Sequence, residues 1–441
     1  MLVRSNEFEL LTQNILKQLV ARGATDAAVS IGFNKGFTVT AREGAVETVA
    51  YNQDKSMDIA VLFGQRSGSA SVSDFSKHAI DAAIDAACHI AKFTDNDPMA
   101  GLADQSELAF HYPDLDLFYP WALTVEEAIE LAIQCEREAL QFDKRIMCAE
   151  DTNVATEQGL HYYANSLGFV GWFPYTRHDI SCALVASVGD EKQRDYDYTI
   201  SIDPNRLRSV SEIAKGAAER TVKRLGARRL NTCKAPVIFI AEEARGLLGH
   251  FLSAISGGAL YRHASFLKDH LNKKIFPEFI TLQENPHLPT ALGSAPFDGD
   301  GVLTRPNVFI QNGVLQNYIL NVYTARQLGL KTTGNAGGVH NLTISTSDQN
   351  LASLLKTMQR GLLATEVMGN GINLVTGDYS RGVNGFWVEH GEIQFPVQEV
   401  TIAGNLRDIF MQFVCVGNDV DLRGNIRTGS ILVEQMMIAG E

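Results

Sequence analysis

In the first part of the chain, the spacing of hydrophobic and polar residues is typical of a helix in some segments and of strands in others. Residues 5–22 carry apolar side chains three to four residues apart, among them Phe8, Ile15 and Leu19, and Gly23 follows as a stop. This spacing predicts an amphipathic helix. Residues 27–64 alternate between apolar and polar, which predicts antiparallel strands. An alanine-rich helix should follow and end near Phe93, with Ser73 or Asp74 as its N-cap.

The next pattern is a long interruption followed by a second set of helices and strands. Residues 94–123 contain three prolines and no clear period, so we expect a surface excursion there. Thr124 and Glu127 form a capping box for the helix that follows. Residues 149–201 alternate as strand hairpins, and Ser209 or Ser211 should cap the helix after them.

The last part of the chain opens with a strand, residues 236–240, that passes directly into a helix with buried positions such as Leu247 and Phe251. Two hairpins should turn at Asn312-Gly313 and His390-Gly391. Residues 334–341 and 376–382 read as glycine-rich loops. The whole pattern predicts an α+β fold of two domains, 1–230 and 231–441, each a mixed antiparallel sheet with helices.

Composition narrows the classes of function. The formal charge is −13, and the 38 basic residues are scattered among 51 acidic ones, so the main electrostatic term of nucleic-acid binding is missing. The six cysteines are widely spaced and include no C-x-x-C pair, which favours free thiols in a reducing compartment. There is no long apolar run. We therefore expect a cytoplasmic protein that binds neither nucleic acid nor membrane.

The strand-to-helix turn at residues 240–243 carries the candidate chemistry. Glu242 and Glu243 begin the helix, where the macrodipole alone favours carboxylates. Glu243 and His250 share a helix face but stand roughly 10 Å apart along the axis, too far to hold one ion without other ligands. Gly246, Gly249 and nearby small residues form a low stripe, for which packing on the chain's own sheet and contact with another subunit are equally good explanations.

Several segments of the second half resemble the TldD/PmbA family. They are AISGG (254–258), GNAGGVHN (334–341), TEVMG (365–369), TGDYSRG (376–382), GFWVEHGEIQFPV (385–397) and EVTIAGNL (399–406). These segments resemble the PmbA (TldE) branch more than the TldD branch. The His-Glu-x-x-x-His zinc motif of TldD-type members, laid on this chain, falls on Glu242, Glu243 and Leu247, so both imidazole ligands are missing. The cysteine that TldD-type members also use falls close to Cys415.

The resemblance implies a subunit of a zinc metalloprotease that processes or degrades small unfolded peptides, including the leaders of peptide antibiotics. This chain would be the metal-free partner, with no cofactor of its own and zinc in a TldD-type catalytic subunit. Glu243 is the remaining member of the degenerate motif. The candidates for the wall of the peptide cavity are Glu242, His250, His340, Asp378 and Arg381. The family's older label as a modulator of DNA gyrase finds no support in the charge distribution.

Two other functions stay open at the level of sequence. The chain could be an autonomous metalloprotease with Glu243 as general base and atypical ligands such as Glu242, His250 and Cys415. It could also be a homodimer that binds peptides without cutting them.

Overall fold

The computed structural model describes residues 2–440, and only the backbone of residues 2–6. The α-helices are α1 Leu2–Ala21, α2 Lys77–Phe93, α3 Val125–Phe142, α4 Val210–Lys223, α5 Ala241–Ala254, α6 Gly257–Tyr261, α7 Val322–Gln327, α8 Leu351–Met358 and α9 Leu406–Met411. Short 3-10 helices lie at Gln105–Glu107 and Pro204–Arg206. No helix of this described part is long and apolar enough to cross a membrane.

The strands alternate with these helices and confirm the predicted α+β class. They are β1 Asp26–Arg42, β2 Ala45–Phe63, β3 Arg66–Val72, β4 Ile146–Asn165, β5 Val170–Val188, β6 Glu191–Ser201, β7 Cys233–Phe239, β8 Leu282–Glu284, β9 Asn307–Gln311, β10 Val314–Leu315, β11 Leu342–Ile344, β12 Gly361–Asn373, β13 Asp378–Glu389, β14 Glu392–Asn405, β15 Phe413–Val416, β16 Ile426–Arg427 and β17 Ile431–Ala439.

The first half of the chain, from α1 to α4, builds one antiparallel sheet, and the second half begins with β7. The strand order of the first sheet within residues 2–440 is β3-β2-β1-β4-β5-β6. Alternate residues of β1 face opposite sides. Val29 packs with α1 and α2, and Val39 packs with α3 and α4. The other side carries Ala28 and Tyr163, which pack with Phe297 of the second half. The helices therefore cover one face of this sheet, and the second half of the chain covers part of the other.

The connection over residues 94–124 differs from the predicted surface excursion. Leu108 and Ala109 are buried in the same apolar cluster as Phe297 and Val302. The Ala109 amide donates a hydrogen bond to the carbonyl of Gly301 at 3.0 Å. The prediction was wrong because the buried apolar residues of this connection are not spaced regularly. A helix or a strand would have given them a repeating pattern that the sequence could reveal. The connection joins the two halves of the chain.

The second half contains two sheets in the described residues, ordered β10-β9-β8-β11-β16 and β14-β13-β12-β7-β17-β15. In the larger sheet β14 also pairs with β17, from Thr401 opposite Ala439 to Ala403 opposite Met437. This sheet therefore closes on itself. Helix α5 packs against its face, in one cluster with Val237 and Phe239 of β7. Neither sheet shares a strand with the first half, although the boundary at residue 230 itself stays a prediction.

Helix caps and hairpin turns agree with the sequence in most places. The capping boxes at Thr124 and Ser209 are present, and the turns at Asn312-Gly313 and His390-Gly391 join β9 to β10 and β13 to β14. The cap of α2 was predicted wrongly. Ser76 accepts the hydrogen bond from Ala79, while Asp74 accepts one from Ser76. An Asx turn therefore moves the start of the helix by two or three residues.

Two glycine-rich features also need correction. Most of the predicted loop at 376–382 is strand, since β13 begins at Asp378. In the small-residue stripe, a Cβ placed on Gly246 or Gly249 would meet no atom within 4 Å, whereas one on Gly257 would lie 2.4 Å from the Thr324 hydroxyl. Packing on the chain's own fold therefore accounts for Gly257 but not for Gly246 and Gly249, which lie on an open helix face.

Candidate functional site

The turn between β7 and α5 directs two neighbouring carboxylates to different surroundings. Ile240 occupies the N-cap position, and its amide donates to the carbonyl of Ala364 on β12. The apolar face of α5, including Leu247 and Phe251, is buried in the core. Because that face fixes the rotation of the helix, Glu242 and Glu243 project on either side of the turn, roughly 100° apart around the axis.

Glu242 is held by two arginines from distant parts of the chain. Nη1 of Arg220 lies 3.0 Å from each carboxylate oxygen, and Nη2 lies 3.0 Å from Oε2. Arg423 donates a further hydrogen bond to Oε1. Burial would raise the pKa of Glu242, but the hydrogen bonds and charges of these arginines outweigh it and lower the pKa to about 2. Glu242 is therefore a fixed anion.

The same arginines belong to a larger ion-pair network across the two halves. Arg220 also pairs with Asp195 of β6 at 3.3 Å, and Nε of Arg423 pairs with Asp421 at 2.9 Å. Arg245 of α5 reaches Asp421 at 3.6 Å. The carboxylates of Asp195 and Asp421 are almost fully buried, and each of them is paired with an arginine that compensates its charge. The network fixes the start of α5 against the first sheet.

In the described residues no arginine forms an ion pair with Glu243. Its Oε2 accepts a hydrogen bond from the amide of Val367 at 3.2 Å. Burial raises the pKa of this carboxyl, and the negative charges of Glu242 and Glu366 raise it further, to about 7. Glu243 therefore exchanges its proton near neutral pH, unlike its neighbour.

His250 lies on the same face of α5 as Glu243, two turns further along the helix, and Arg381 connects to both. The carbonyl of Val367 accepts a hydrogen bond from Arg381 at 3.1 Å, so one residue of β12 joins the two candidates. The ring of His250 stands edge-on to Tyr379 with centroids 5.9 Å apart. Burial lowers the pKa of His250, and the charge of Arg381 lowers it further. The structure thus links Arg381 to Glu243 through Val367, and places Arg381 close enough to His250 to affect its pKa.

The other two candidates lie elsewhere. His340 lies in the loop before β11: its amide donates to Glu284 of β8 at 2.8 Å, and its Nδ1 lies 3.2 Å from the carbonyl of Gly293 in the loop after β8. Asp378 is exposed and accepts a hydrogen bond from the Thr376 hydroxyl at 2.6 Å. Asp378 therefore stabilises the turn between β12 and β13, and neither residue hydrogen-bonds to α5.

The residues at the motif positions do not fit a zinc ion. Leu247 is only 2% exposed and faces the core. The Glu242 carboxylate is occupied by arginines. Cys415 packs with Ile238 and Leu432 in the layer beside α8, separate from the cluster that contains α5. Across residues 2–440 no group of three or more His, Cys, Asp and Glu side chains could hold a metal ion.

A cleft of about 970 Å³ opens above Glu242, between the two halves of the chain. Its walls come from β6, from the loop around Thr290 and from residues 419–427. The arrangement offers a polar, charged groove in which ion pairs hold Glu242.

The arginines that hold Glu242 were missed by sequence reasoning. In the sequence, Arg220 is a cation near the end of a helix, where the macrodipole alone favours it. Arg220 and Arg423 stand 22 and 181 residues from Glu242. No local spacing could signal either contact.

Comparison with known proteins gives the same family at every level. Family models for the PmbA/TldA metallopeptidase match three parts of the chain: domain 1 at residues 27–91, the central domain at 118–225 and the C-terminal domain at 232–440. Metalloprotease PmbA of Escherichia coli O157:H7 is 46% identical over 96% of this chain and 94% of its own. The Metalloprotease PmbA homolog of Haemophilus influenzae is 42% identical over the same shares.

Solved structures agree with these sequences. A Bacteroides thetaiotaomicron protein, described as a candidate modulator of DNA gyrase, superposes with a TM-score of 0.93 at 27% identity and covers 99% of both chains. TldE from Thermococcus kodakarensis has a TM-score of 0.81 at 20% identity and covers 97% of this chain and 100% of its own. At that identity the second likeness shows the fold alone.

Proposed function

This chain belongs to the PmbA branch of the PmbA/TldD metallopeptidase family, and on that premise we propose that it is the subunit without a zinc site in a two-subunit peptidase. A TldD-type partner would supply the zinc and the hydrolysis. This chain would complete the cavity that receives small unstructured peptides, such as the leaders of peptide antibiotics. Its free cysteines favour a cytoplasmic location.

One observation carries the proposal: the carboxylate at the first motif position is neutralised by Arg220 and Arg423. A zinc ion at this turn would have to compete with two guanidinium groups for Glu242. It would also need further ligands, and the position of the motif's second imidazole is the buried Leu247. Arg220 and Arg423 therefore already supply the positive charge that a metal ion would otherwise bring to the carboxylate of Glu242.

The cleft supports a role in holding peptide. It lies beside β6, the edge strand of the first sheet, whose residues 197–201 line its wall. A cleft of about 970 Å³ has room for several residues of an extended chain. Contacts to a peptide main chain give affinity with little demand on sequence. This suits a subunit that handles varied peptides.

The test separates this chain from its partner. The purified chain is assayed alone and mixed with a TldD-type subunit, with metal content by mass spectrometry, mass by light scattering and cleavage of an unstructured peptide. We expect the chain alone to hold far less than one zinc and to be inactive. We expect the mixture to form a stable complex whose activity is lost when the partner's zinc is removed.

Other outcomes identify the rival functions. Stoichiometric zinc in the chain alone, with activity that Glu243→Gln abolishes, would establish an autonomous peptidase. A homodimer that binds peptide but ignores the TldD-type subunit would establish a binding protein. Glu130→Gln, on an exposed face of α3, is the matched control for the glutamate substitution.

A further inference from the structure

The cleft between the two halves concentrates positive charge in an acidic protein. Five arginines and four carboxylates are found among its described lining residues, whereas the whole chain carries a net charge of −13. The arginines are Arg206, Arg208, Arg220, Arg423 and Arg427. A groove with this balance attracts negatively charged groups when any of its cations is left free.

Four of these arginines are already paired. Arg208 contacts Asp197 at 2.7 Å, and Arg220 and Arg423 hold Glu242. Arg206 lies 3.7 Å from Asp203 and donates to the Thr290 hydroxyl at 2.7 Å. The positive charges of these four arginines are therefore largely compensated by groups of the same chain.

Arg427 is different. Its Nε is buried and has no hydrogen-bond partner, and its side chain forms no ion pair with any residue in the part of the chain that the structure describes. Burial lowers the pKa of Arg427, and no nearby carboxylate raises it again. The backbone is held in β16, where it pairs with Thr343 of β11. A half-buried guanidinium without a counter-charge is costly unless a ligand supplies one.

We propose that Arg427 binds a carboxylate of the peptide that occupies the cleft. This inference rests on the proposed function and adds a preference to it. The guanidinium fork matches a carboxylate, with two parallel N–H donors for two oxygens. The carboxylate can come from the C-terminus of the peptide or from an aspartate or glutamate side chain, because both present the same group.

The test is direct binding of labelled peptides to the full chain by fluorescence anisotropy at low ionic strength. Three peptides of glycine, serine and alanine are compared: one with a free C-terminal carboxylate, one with a C-terminal amide, and one amide with an internal glutamate. Arg427→Gln removes the charge and keeps much of the length. Arg206→Gln removes a cation from the same cleft that already has partners, and is the matched control.

We expect the free carboxylate to bind about tenfold tighter than the plain amide, and Arg427→Gln to abolish that difference. Arg206→Gln should leave it nearly unchanged. Tighter binding of the glutamate peptide than of the plain amide would identify side chains as a second source of the carboxylate. Equal binding of all three peptides, no binding, or a preference that survives Arg427→Gln would overturn the inference.

The two proposals fail separately. If the carboxylate preference depends on Arg427 while no TldD-type subunit associates, the partner role falls and the anion site stands. If the complex forms and cleaves peptide but Arg427→Gln changes no affinity, the anion site falls and the partner role stands.

Discussion

Arg220 of α4 and Glu242 of α5 form a three-contact ion pair between the two halves of the chain, each contact 3.0 Å long. The pair lies at the base of the cleft and is mostly buried, with side-chain exposures of 26% and 13%. It fixes the turn where related chains are expected to carry metal chemistry. Its consequences for stability can be measured directly.

Arg220→Gln should destabilise the fold by about 3 kcal/mol at pH 7, because it leaves Glu242 and Asp195 with less compensation inside the protein. The measurement is the urea midpoint, followed by tryptophan fluorescence. Arg22→Gln breaks the exposed pair with Asp85 and should shift the midpoint very little. Equal shifts for the two variants would contradict the importance of the buried pair.

The stabilisation from Glu242 also has a defined pH range. Its pKa in the folded protein is lowered to about 2 from an ordinary value of 4.5, so the stabilisation is fully present above pH 4.5 and is lost as the pH falls towards 2. Glu242→Gln should therefore cost stability at pH 7 and much less at pH 3. Urea midpoints at the two pH values check this, and a constant cost would count against the assignment.

Glu243 should show the opposite sign. Because its pKa is raised to about 7, the folded state holds this proton more tightly than the unfolded state, and stability falls as the pH rises from about 4.5 to 7. Glu243→Gln should be more stable than the parent at pH 8, by about 2 to 3 kcal/mol, and nearly equal to it at pH 4.5. Glu130→Gln should show no such rise in relative stability.

Gly301 tests the contact between the halves. Its φ is +76°, and an added Cβ would lie 2.7 Å from Cε1 of Tyr163. Gly301→Ala should therefore lose about 3 kcal/mol, from backbone strain and a clash together. Gly189 has a φ of +60° and open space around it, so Gly189→Ala should lose only about 1 kcal/mol. The difference between their urea midpoints isolates the clash with Tyr163.

Replacing both lost motif positions should not restore a zinc site. In the double variant Glu242→His with Leu247→His, Arg220 and Arg423 would repel a cation beside the first imidazole, and the second imidazole would have to displace the core packing of Leu247. We expect lower stability and no stoichiometric zinc by mass spectrometry. Leu10→His, on an exposed position of α1, is the control for adding an imidazole. One tightly bound zinc per chain would show that the arginines beside position 242 and the core around Leu247 do not prevent a metal site.

The sequence predicted what local patterns determine. Alternation and capping residues located most strands and helices, because a strand or a helix start depends on neighbours a few residues away. The packed connection at 94–124 was missed because Leu108 and Ala109 bury against residues almost 200 positions later. The start of β13 was missed because its glycines indicate a loop when their partners across the sheet are unknown.

The candidate site divides in the same way. The motif was enough to locate the turn and to single out Glu243 as a candidate residue. The arginines on Glu242 and the free guanidinium of Arg427 could not, since contacts between distant segments leave no mark in local spacing. His340 and Asp378 were chosen from glycine-rich stretches, and such stretches report turns more reliably than they report ligands.

The pairing of β14 with β17 limits how this protein can associate. Strands with free backbone groups invite other chains to extend the sheet, which leads to fibres and disordered aggregates. In the sheet that carries α5, residues 401–403 of the long outer strand pair with β17, and Pro396 and Gln398 bond to Arg228, so these groups are satisfied within the chain. Copies crowded together in a cell therefore cannot extend the sheet at that part of the strand, and a second protein must dock there by the shape and charge of side chains.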